Sequence, residues 1–230
     1  MYFDELPLAD EVLDALWDMH FDECTPVQEH TIPVILEGRD VISCAQTGTG
    51  KTAAFGLPIL NMVNVEQRKI QSLVLAPTRE LCIQIANDIK NFASKMRGVK
   101  VVPVYGGESI VVQYRQLDVQ PQVLVATPGR LIDLINRGKV DLSEVRFLVL
   151  DEADEMLNMG FEESLNAILA EVPAERNMMM FSATMSNEIS QITKKYLNNA
   201  KEIVIGAKNE STKNVKHIYY MVHAKDKYLA

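Results

Sequence analysis

Residues 40–55, DVISCAQTGTGKTAAF, decide the fold because they join a short apolar run to a helical pattern through a loop with two glycines. The apolar run predicts a strand that ends near Ala45, and Lys51 with Thr52 opens a helix. Glycines let the backbone N–H groups of such a loop surround phosphate oxygens, and the N-terminus of the helix adds a partial positive charge. The segment therefore predicts a phosphate-binding loop between a strand and a helix.

The loop fits the pattern G-x-x-x-x-G-K-S/T except at its first position, where Ala45 replaces glycine. We expect Lys51 to reach the β- and γ-phosphates of a nucleotide and the Thr52 hydroxyl to ligate Mg²⁺. The predicted nucleotide-binding residues of the loop are Ala45, Gln46, Thr47, Gly48, Thr49, Gly50, Lys51 and Thr52. An ordinary strand-to-helix turn is the alternative, but it would not require a Lys-Thr pair directly after the second glycine.

The same loop also fits a dinucleotide-binding fingerprint, since Gly48, Gly50 and Ala53 match G-x-G-x-x-A. That fold requires an acidic residue at the end of the next strand to hold a ribose. The next apolar run ends as LVLAPT (73–78), without a carboxylate. The nicotinamide interpretation is therefore excluded.

A later apolar run, RFLVLDEADEML (146–157), ends in several carboxylates. The dipole of a following helix favours acidic residues in its first turn by about 0.3–1 kcal/mol each, which suffices if they point into water. In a phosphate-loop NTPase, however, such a strand usually lies beside the first one and ends in an Asp that holds Mg²⁺. We therefore assign Asp151 to Mg²⁺ and Glu152 to polarising the attacking water. The predicted catalytic residues are Lys51, Asp151 and Glu152.

Seven apolar runs alternate with amphipathic helical patterns along the chain. The runs are residues 40–45, 71–77, 99–107, 122–128, 146–152, 177–184 and 201–206. They are nearly continuous in Val, Ile, Leu and Met, as expected for parallel strands that are covered on both faces. The sequence therefore predicts a doubly wound, mainly parallel α/β sheet with helices on both faces.

Composition limits the location and the partners of the chain. It has 230 residues, 47% hydrophobic and 23% charged residues, which suits a globular protein, and no apolar run long enough to span a membrane. The three cysteines show no metal-ligand spacing, so we expect a cytoplasmic protein. The net charge of −8 argues mildly against nucleic acid, so any such binding must use local groups such as helix N-termini and a few arginines.

The character of the chain changes after Gly206. Residues 207–216 are polar and predict a linker, and residues 217–230 start a new strand and helix that the chain does not finish. We therefore expect one domain over residues 1–206 and the start of a truncated second domain.

Five further motifs accompany the loop, and together they identify a family resemblance. They are PTREL (77–81), GG (106–107), TPGR (127–130), DEAD (151–154) and SAT (182–184). With AQTGTGKT (45–52), they resemble the DEAD-box ATP-dependent RNA helicases from Phe3 to about Gly206. The resemblance implies the first of that family's two RecA-like domains, ATP with Mg²⁺ as cofactors, and RNA and the second RecA-like domain as partners.

HFDECTPVQ (20–28) is similar to the family's adenine-reading Q motif, and Phe3 stands for its isolated upstream aromatic residue. The resemblance implies that the amide of Gln28 contacts adenine and that Phe21 stacks on it. His20 departs from the family, which usually has glycine there. Thr25 to Gln28 also fit a capping box with Pro at the first helical position, so Gln28 has two compatible roles.

PTREL and TPGR are each expected to end a strand and start a helix, where hydroxyls, guanidinium groups and N–H groups can face phosphates. The resemblance implies that they bind RNA together with the GG pair, and backbone contacts would make this binding largely sequence-nonspecific. The predicted RNA-binding residues are Pro77, Thr78, Arg79, Gly106, Gly107, Thr127, Pro128, Gly129 and Arg130. Taken singly, the two segments equally fit capped helices with surface arginines.

SAT is similar to the family's coupling motif, so Ser182 and Thr184 are expected to hydrogen-bond towards Asp154. The resemblance implies ATP hydrolysis coupled to RNA unwinding or remodelling. An ATP-gated RNA clamp and a DNA translocase are the alternatives. The family's arginines that face the γ-phosphate come from the second domain, so the 230-residue chain alone is expected to be nearly inactive.

Overall fold

The computed structural model describes residues 1–46 and 48–205. Its strands are β1 (Val41–Cys44), β2 (Ser72–Leu75), β3 (Val101–Val104), β4 (Val123–Ala126), β5 (Phe147–Leu150), β6 (Asn177–Ser182) and β7 (Lys201–Val204). Its α-helices are α1 (Asp10–Asp18), α2 (Pro26–Leu36), α3 (Lys51–Met62), α4 (Arg79–Phe92), α5 (Ile110–Leu117), α6 (Pro128–Asn136), α7 (Ala153–Asn158), α8 (Glu162–Glu171) and α9 (Asn187–Tyr196). Each predicted apolar run contains one of these strands.

The strands form one sheet in the order β3-β4-β2-β5-β6-β1-β7, and every pairing is parallel. The prediction of a doubly wound parallel α/β sheet is therefore confirmed. The carboxyl ends of all seven strands lie at one edge of the sheet, because parallel strands share one direction. This edge is where the loops with the predicted motifs meet.

One expected neighbour relation is wrong. We expected the strand that ends in Asp151 to lie beside the strand of the phosphate loop, but β6 lies between β5 and β1. After β5, the chain passes through α7 and α8 and returns as β6, which pairs with β5 and β1 through Met178, Met179 and Met180. A run that is apolar on both faces suits this central position.

Two hydrophobic cores cover the two faces of the sheet. Helices α1 to α4 pack on one face, and helices α5 to α9 pack on the other. The alternation of side chains along a strand divides β6 between the cores: Met179 and Phe181 join the first, and Met178 and Met180 join the second.

Buried Asp40 ties the strands together at the opposite edge of the sheet, where β1 begins. Its carboxylate accepts hydrogen bonds from the backbone N–H of Met178 (2.7 Å) and of Asn198 (2.6 Å). One side chain therefore joins the starts of β1 and β6 and the turn before β7.

No helix within residues 1–46 and 48–205 combines the length and the apolar character needed to span a bilayer. The predicted domain boundary, the linker 207–216 and the start of a second domain at 217–230 lie outside the described residues, as does Thr47.

Candidate functional site

The predicted phosphate loop connects the end of β1 to the first residue of α3. Gly48 and Gly50 adopt left-handed backbone conformations, with φ of 80° and 89°. The Thr49 hydroxyl donates to the carbonyl of Gln46 (2.8 Å), which closes the loop on itself. A side chain at Gly50 would overlap the amide of Gln28, so both the backbone angle and the close approach require glycine there.

Lys51 and Asp151 meet above the sheet although their strands are not neighbours. The Lys51 Nζ lies 3.5 Å from Oδ1 of Asp151, and both side chains are buried. Burial raises the pKa of the Asp151 carboxyl, and the nearby Lys51 ammonium opposes this rise. Two residues a hundred positions apart in the sequence, each predicted from its own motif, thus share one site.

Glu152 follows Asp151 and caps α7 in a left-handed conformation, with φ of 51°. Its backbone N–H donates to Oδ1 of Asp151 (3.0 Å). Partial burial raises the pKa of the Glu152 carboxyl, and Lys51 again opposes the rise. Both carboxylates line a cavity of about 240 Å³ together with Gly48, Gly50, Lys51 and Thr52.

The oxygen donors of this cavity are of the kind that hold Mg²⁺ in nucleotide-binding enzymes. Mg²⁺ usually takes one or two carboxylates and completes its octahedron with substrate phosphates and water. Asp151 and Thr52 supply a carboxylate and a hydroxyl beside the phosphate loop. Within the described residues, no group of three or more His, Cys, Asp or Glu side chains forms a metal site.

Gln28 links the start of α2 to the phosphate loop. Its Oε1 accepts from the N–H of Thr25 (2.8 Å), as predicted for the capping interpretation, and its Nε2 donates to the carbonyl of Gly50 (3.1 Å). One N–H and one lone pair of the amide remain for a ligand. Phe21 is 41% exposed and lines, with Gln28 and Phe3, a second cavity that adjoins the same loop.

His20 occupies a position at which the backbone favours glycine. The N–H of His20 donates to the carbonyl of Trp17 (3.0 Å), and the N–H of Phe21 donates to that of Leu16 (2.9 Å). These bonds form a Schellman motif at the end of α1, and His20 has the left-handed φ of 57° that this motif requires. The departure from the family's glycine therefore preserves the turn that places Phe21.

A separate groove lies at the carboxyl ends of β2, β3 and β4. It collects seven of the predicted RNA-binding residues, namely Pro77, Thr78, Arg79, Gly106, Thr127, Gly129 and Arg130, around a volume of about 570 Å³. Gly107 is exposed in the same loop as Gly106, whereas Pro128 is buried at the first position of α6. The topology of the sheet thus brings the three motifs together.

Both arginines of the groove are engaged within the protein. The guanidinium of Arg79 lies over the ring of Tyr105, 4.9 Å from its centre. Arg130 donates through Nη1 to Oε1 of Gln113 (2.8 Å) and through Nη2 to the carbonyl of Glu108 (3.0 Å).

The SAT segment contacts the DEAD segment through only one of the two predicted side chains. The N–H and hydroxyl of Thr184 both donate to Oδ2 of Asp154, at 3.0 and 2.9 Å. The expectation for Ser182 is wrong, because its hydroxyl donates to the carbonyl of Thr184 (2.7 Å). Ser182 is the buried last residue of β6, so its short side chain shapes the turn that presents Thr184.

Sequence reasoning missed several residues that line the two sites. Those of the nucleotide cavity are Met19, Leu81, Gln84, Asp88 and Phe92, and those of the groove are Glu80, Asp133, Met159 and Phe161. Helical spacing could have found Gln84 and Asp88, which repeat on one face of α4, and Asp133, one turn after Arg130. The sequence carries no comparable signal for Met159 and Phe161, because the path of the chain after α7 brings them to the groove.

Comparisons with known proteins agree with these two sites. The sequence model of the DEAD/DEAH box helicase family matches residues 25–192. The DEAD-box ATP-dependent RNA helicase CshA of Geobacillus kaustophilus is 50% identical over 98% of this chain and 48% of its own length. The ATP-dependent RNA helicase CshA of Listeria monocytogenes is 46% identical over 98% of this chain and 43% of its own length. The chain thus spans about half the length of the curated relatives that it matches.

Two solved structures resemble the fold. A DEAD box protein from Methanococcus jannaschii superimposes with a TM-score of 0.85 at 39% identity, over 89% of this chain and 56% of that one. A hypothetical ATP-dependent RNA helicase from Sulfolobus tokodaii gives a TM-score of 0.78 at 39% identity, over 86% of this chain and 57% of that one. The family match covers well over half of the sequence and includes the phosphate loop, Asp151 and the groove, so the chain belongs to the DEAD/DEAH box helicase family.

Proposed function

We propose that the chain is the ATP-binding half of an ATP-dependent RNA helicase, which binds ATP and RNA and hydrolyses ATP to separate or remodel short RNA duplexes when joined to a second domain. The observation that carries this proposal is the buried approach of Lys51 to Asp151, 3.5 Å apart, above the phosphate loop. This arrangement supports a site in which an ammonium group and a metal-binding carboxylate face one triphosphate.

Each residue of the cavity has a defined part in this proposal. The loop amides and Lys51 hold the phosphates, and Phe21 and the remaining donor and acceptor of Gln28 contact the adenine. Thr52 and Asp151 would hold Mg²⁺, which neutralises phosphate charge when bound. Glu152 orients the attacking water and accepts its proton.

The groove is proposed as the RNA site. The N-termini of α4 and α6 open into it beside Thr78 and Thr127, and helix N-termini stabilise phosphates through free N–H groups and the helix dipole. Contacts of this kind need no basic surface, which accommodates the net charge of −8. They read the sugar-phosphate backbone, so the binding is largely independent of sequence.

The second domain is proposed as the source of the missing arginine. No arginine lines either part of the nucleotide cavity within residues 1–46 and 48–205. In other phosphoryl-transfer enzymes, an arginine that stabilises the transferred phosphoryl group raises kcat by about 10³–10⁵-fold. We place the first domain at residues 1–206, followed by a linker and the start of the second domain.

The test compares the complete protein with a Lys51→Ala variant. The wild type should bind ATP–Mg²⁺, hydrolyse it faster when single-stranded RNA is added, and separate a short RNA duplex. Lys51→Ala should lose ATP binding and unwinding and keep the far-UV circular dichroism spectrum of the folded protein. ATP turnover that RNA does not stimulate would contradict the proposal, and equal stimulation by DNA would favour a DNA translocase.

A further inference from the structure

We infer that Gln113 is a positioning residue of the groove, and that Arg130 braces the Gly106–Gly107 loop instead of binding a phosphate. The inference rests on the proposed function, because it concerns how the groove is shaped for RNA. It assigns Gln113, which no motif marks, to the RNA site.

The amide of Gln113 joins two of the proposed RNA-binding segments. Gln113 lies on α5 and is fully buried. Its Nε2 donates to the carbonyl of Tyr105 (2.9 Å), directly before the glycine pair, and its Oε1 accepts from Nη1 of Arg130 (2.8 Å). Both ends of a buried amide thus hold the loop to α6.

Arg130 closes the same network from the other side. Its Nη2 donates to the carbonyl of Glu108 (3.0 Å), directly after the glycine pair. The loop is therefore held at Tyr105 and at Glu108, on both sides of Gly106 and Gly107. Gly107 itself has the left-handed φ of 80°.

Arg79 adds the third segment. Its guanidinium stacks on the ring of Tyr105, and its Nη1 lies close to the backbone of Gly107. The PTREL, GG and TPGR segments thus meet around one buried glutamine. Without Gln113, the Tyr105 carbonyl and one end of Arg130 would lose their partner, and the loop would lose its fixed shape.

The experiment measures binding of single-stranded oligouridylate RNA to the complete protein in the presence of a non-hydrolysable ATP analogue. Gln113→Met should raise the Kd for RNA about tenfold, the size expected when buried polar groups lose their partner. The Kd for the analogue measured without RNA should stay close to wild type, whereas the unfolding temperature should fall, because the Tyr105 carbonyl and Arg130 lose a buried partner. Gln116→Met, an exposed glutamine of the same helix, is the matched control and should bind RNA as the wild type does.

Arg130→Met separates a brace from a phosphate ligand. If Arg130 is a brace, Arg130→Met should weaken RNA binding by the same factor as Gln113→Met does. The double variant should then bind RNA about tenfold more weakly than wild type, not hundredfold. The slope of log K against log salt should remain that of wild type. A phosphate contact would instead reduce that slope by about 0.7 and make the two losses additive, which would overturn the inference.

The outcomes distinguish the inference from the proposed function. A wild type that binds no RNA would refute the proposed function itself. If the wild type binds RNA and both Gln113→Met and Arg130→Met bind it as tightly as the wild type does, the inference is overturned and the proposed function stands. If Gln113→Met does not fold, the salt slope of Arg130→Met decides the question, because that side chain is only half-buried.

Discussion

His20 shows how one side chain can occupy a position that favours another. It sits at the left-handed position that ends α1, with φ of 57°, and this conformation disfavours residues that carry a Cβ. Histidine tolerates the region better than β-branched residues do, so the turn still forms. The residue that follows, Phe21, keeps its place at the nucleotide cavity.

His20→Gly should therefore stabilise the protein by roughly 0.5–1 kcal/mol, because relief of the strained φ outweighs the extra entropy of glycine in the unfolded chain. Urea denaturation followed by circular dichroism measures this change. His30→Gly is the matched control. His30 is an exposed residue in the middle of α2, and its replacement by glycine should destabilise the protein by about 1 kcal/mol. Loss of stability in His20→Gly would show that the histidine makes a compensating contact.

Glu152 sets an expectation for pH. Burial raises the pKa of its carboxyl above the ordinary value of 4.5, so it takes up a proton at a higher pH than a solvated glutamate does. A group that must be ionised to accept a proton from water loses activity as the pH falls through this raised pKa. The acid limb of RNA-stimulated ATP turnover should thus lie above the range of an ordinary glutamate.

The measurement is the pH profile of kcat/KM for the complete protein, which reports the free enzyme, with Glu152→Gln as the control that should lower turnover by about 10²–10⁴-fold and flatten the limb. The same raised pKa acts on stability with a known sign. The folded state holds this proton more tightly than the unfolded state, so the contribution of Glu152 to stability improves as the pH falls and declines as it rises through the folded pKa. An acid limb that persists in Glu152→Gln would assign the titration to another group.

At the scale of elements, the sheet is held at both edges by different means. At the carboxyl edge, the strands end in the loops of the two sites, and Thr184 links β6 to α7 through Asp154. At the opposite edge, the carboxylate of Asp40 joins β1, β6 and the turn before β7. The phosphate loop follows β1, so the contacts of Asp40 at the start of β1 also help to hold the strand that carries this loop.

Asp40→Ala should lower the free energy of unfolding by about 2–4 kcal/mol, since it leaves two backbone N–H groups without their charged acceptor. Chemical denaturation measures the loss. Asp4→Ala, which removes an exposed carboxylate, should change stability by less than about 0.5 kcal/mol. Equal stability of Asp40→Ala and wild type would mean that water replaces the carboxylate at both N–H groups.

At the scale of the whole molecule, the two sites lie on one edge of a single sheet but do not share a cavity. The nucleotide site gathers around β1 and β5, and the groove gathers around β2, β3 and β4. The described residues contribute no arginine to the nucleotide cavity. The proposal therefore assigns the arginine that completes the reaction to a second domain.

The 230-residue chain alone should bind ATP weakly and turn it over at least about 10³-fold more slowly than the complete protein, because the arginine contribution is missing. Steady-state phosphate release with saturating RNA measures both rates. Addition of the second domain in the same polypeptide should restore turnover. RNA-stimulated turnover at an ordinary enzymatic rate by the chain alone would contradict the two-domain proposal.

Local patterns in the sequence were sufficient to predict the positions of the strands, the phosphate loop and the place of Asp151 at a strand end. Apolar runs, glycine spacing and strand-end carboxylates are each visible within a few residues. The order of the strands was not accessible in this way. The insertion of β6 between β5 and β1 depends on how the chain after α7 and α8 finds the centre of the sheet. The meeting of Lys51 and Asp151 was expected from their two motifs, and the structure added that it spans the intervening strand β6 at 3.5 Å.

The groove shows the same division. Its three motifs were identified from the resemblance, but the engagement of Arg130 by Gln113 was not, since a glutamine in a helix carries no signal until a loop packs over it. Ser182 and Thr184 likewise look equivalent in the sequence, and only the turn after β6 decides which of them reaches Asp154. The sequence thus determined the kinds of groups present and the local elements that hold them. Only the tertiary structure decided which groups meet, because contacts between distant residues depend on the path of the whole chain.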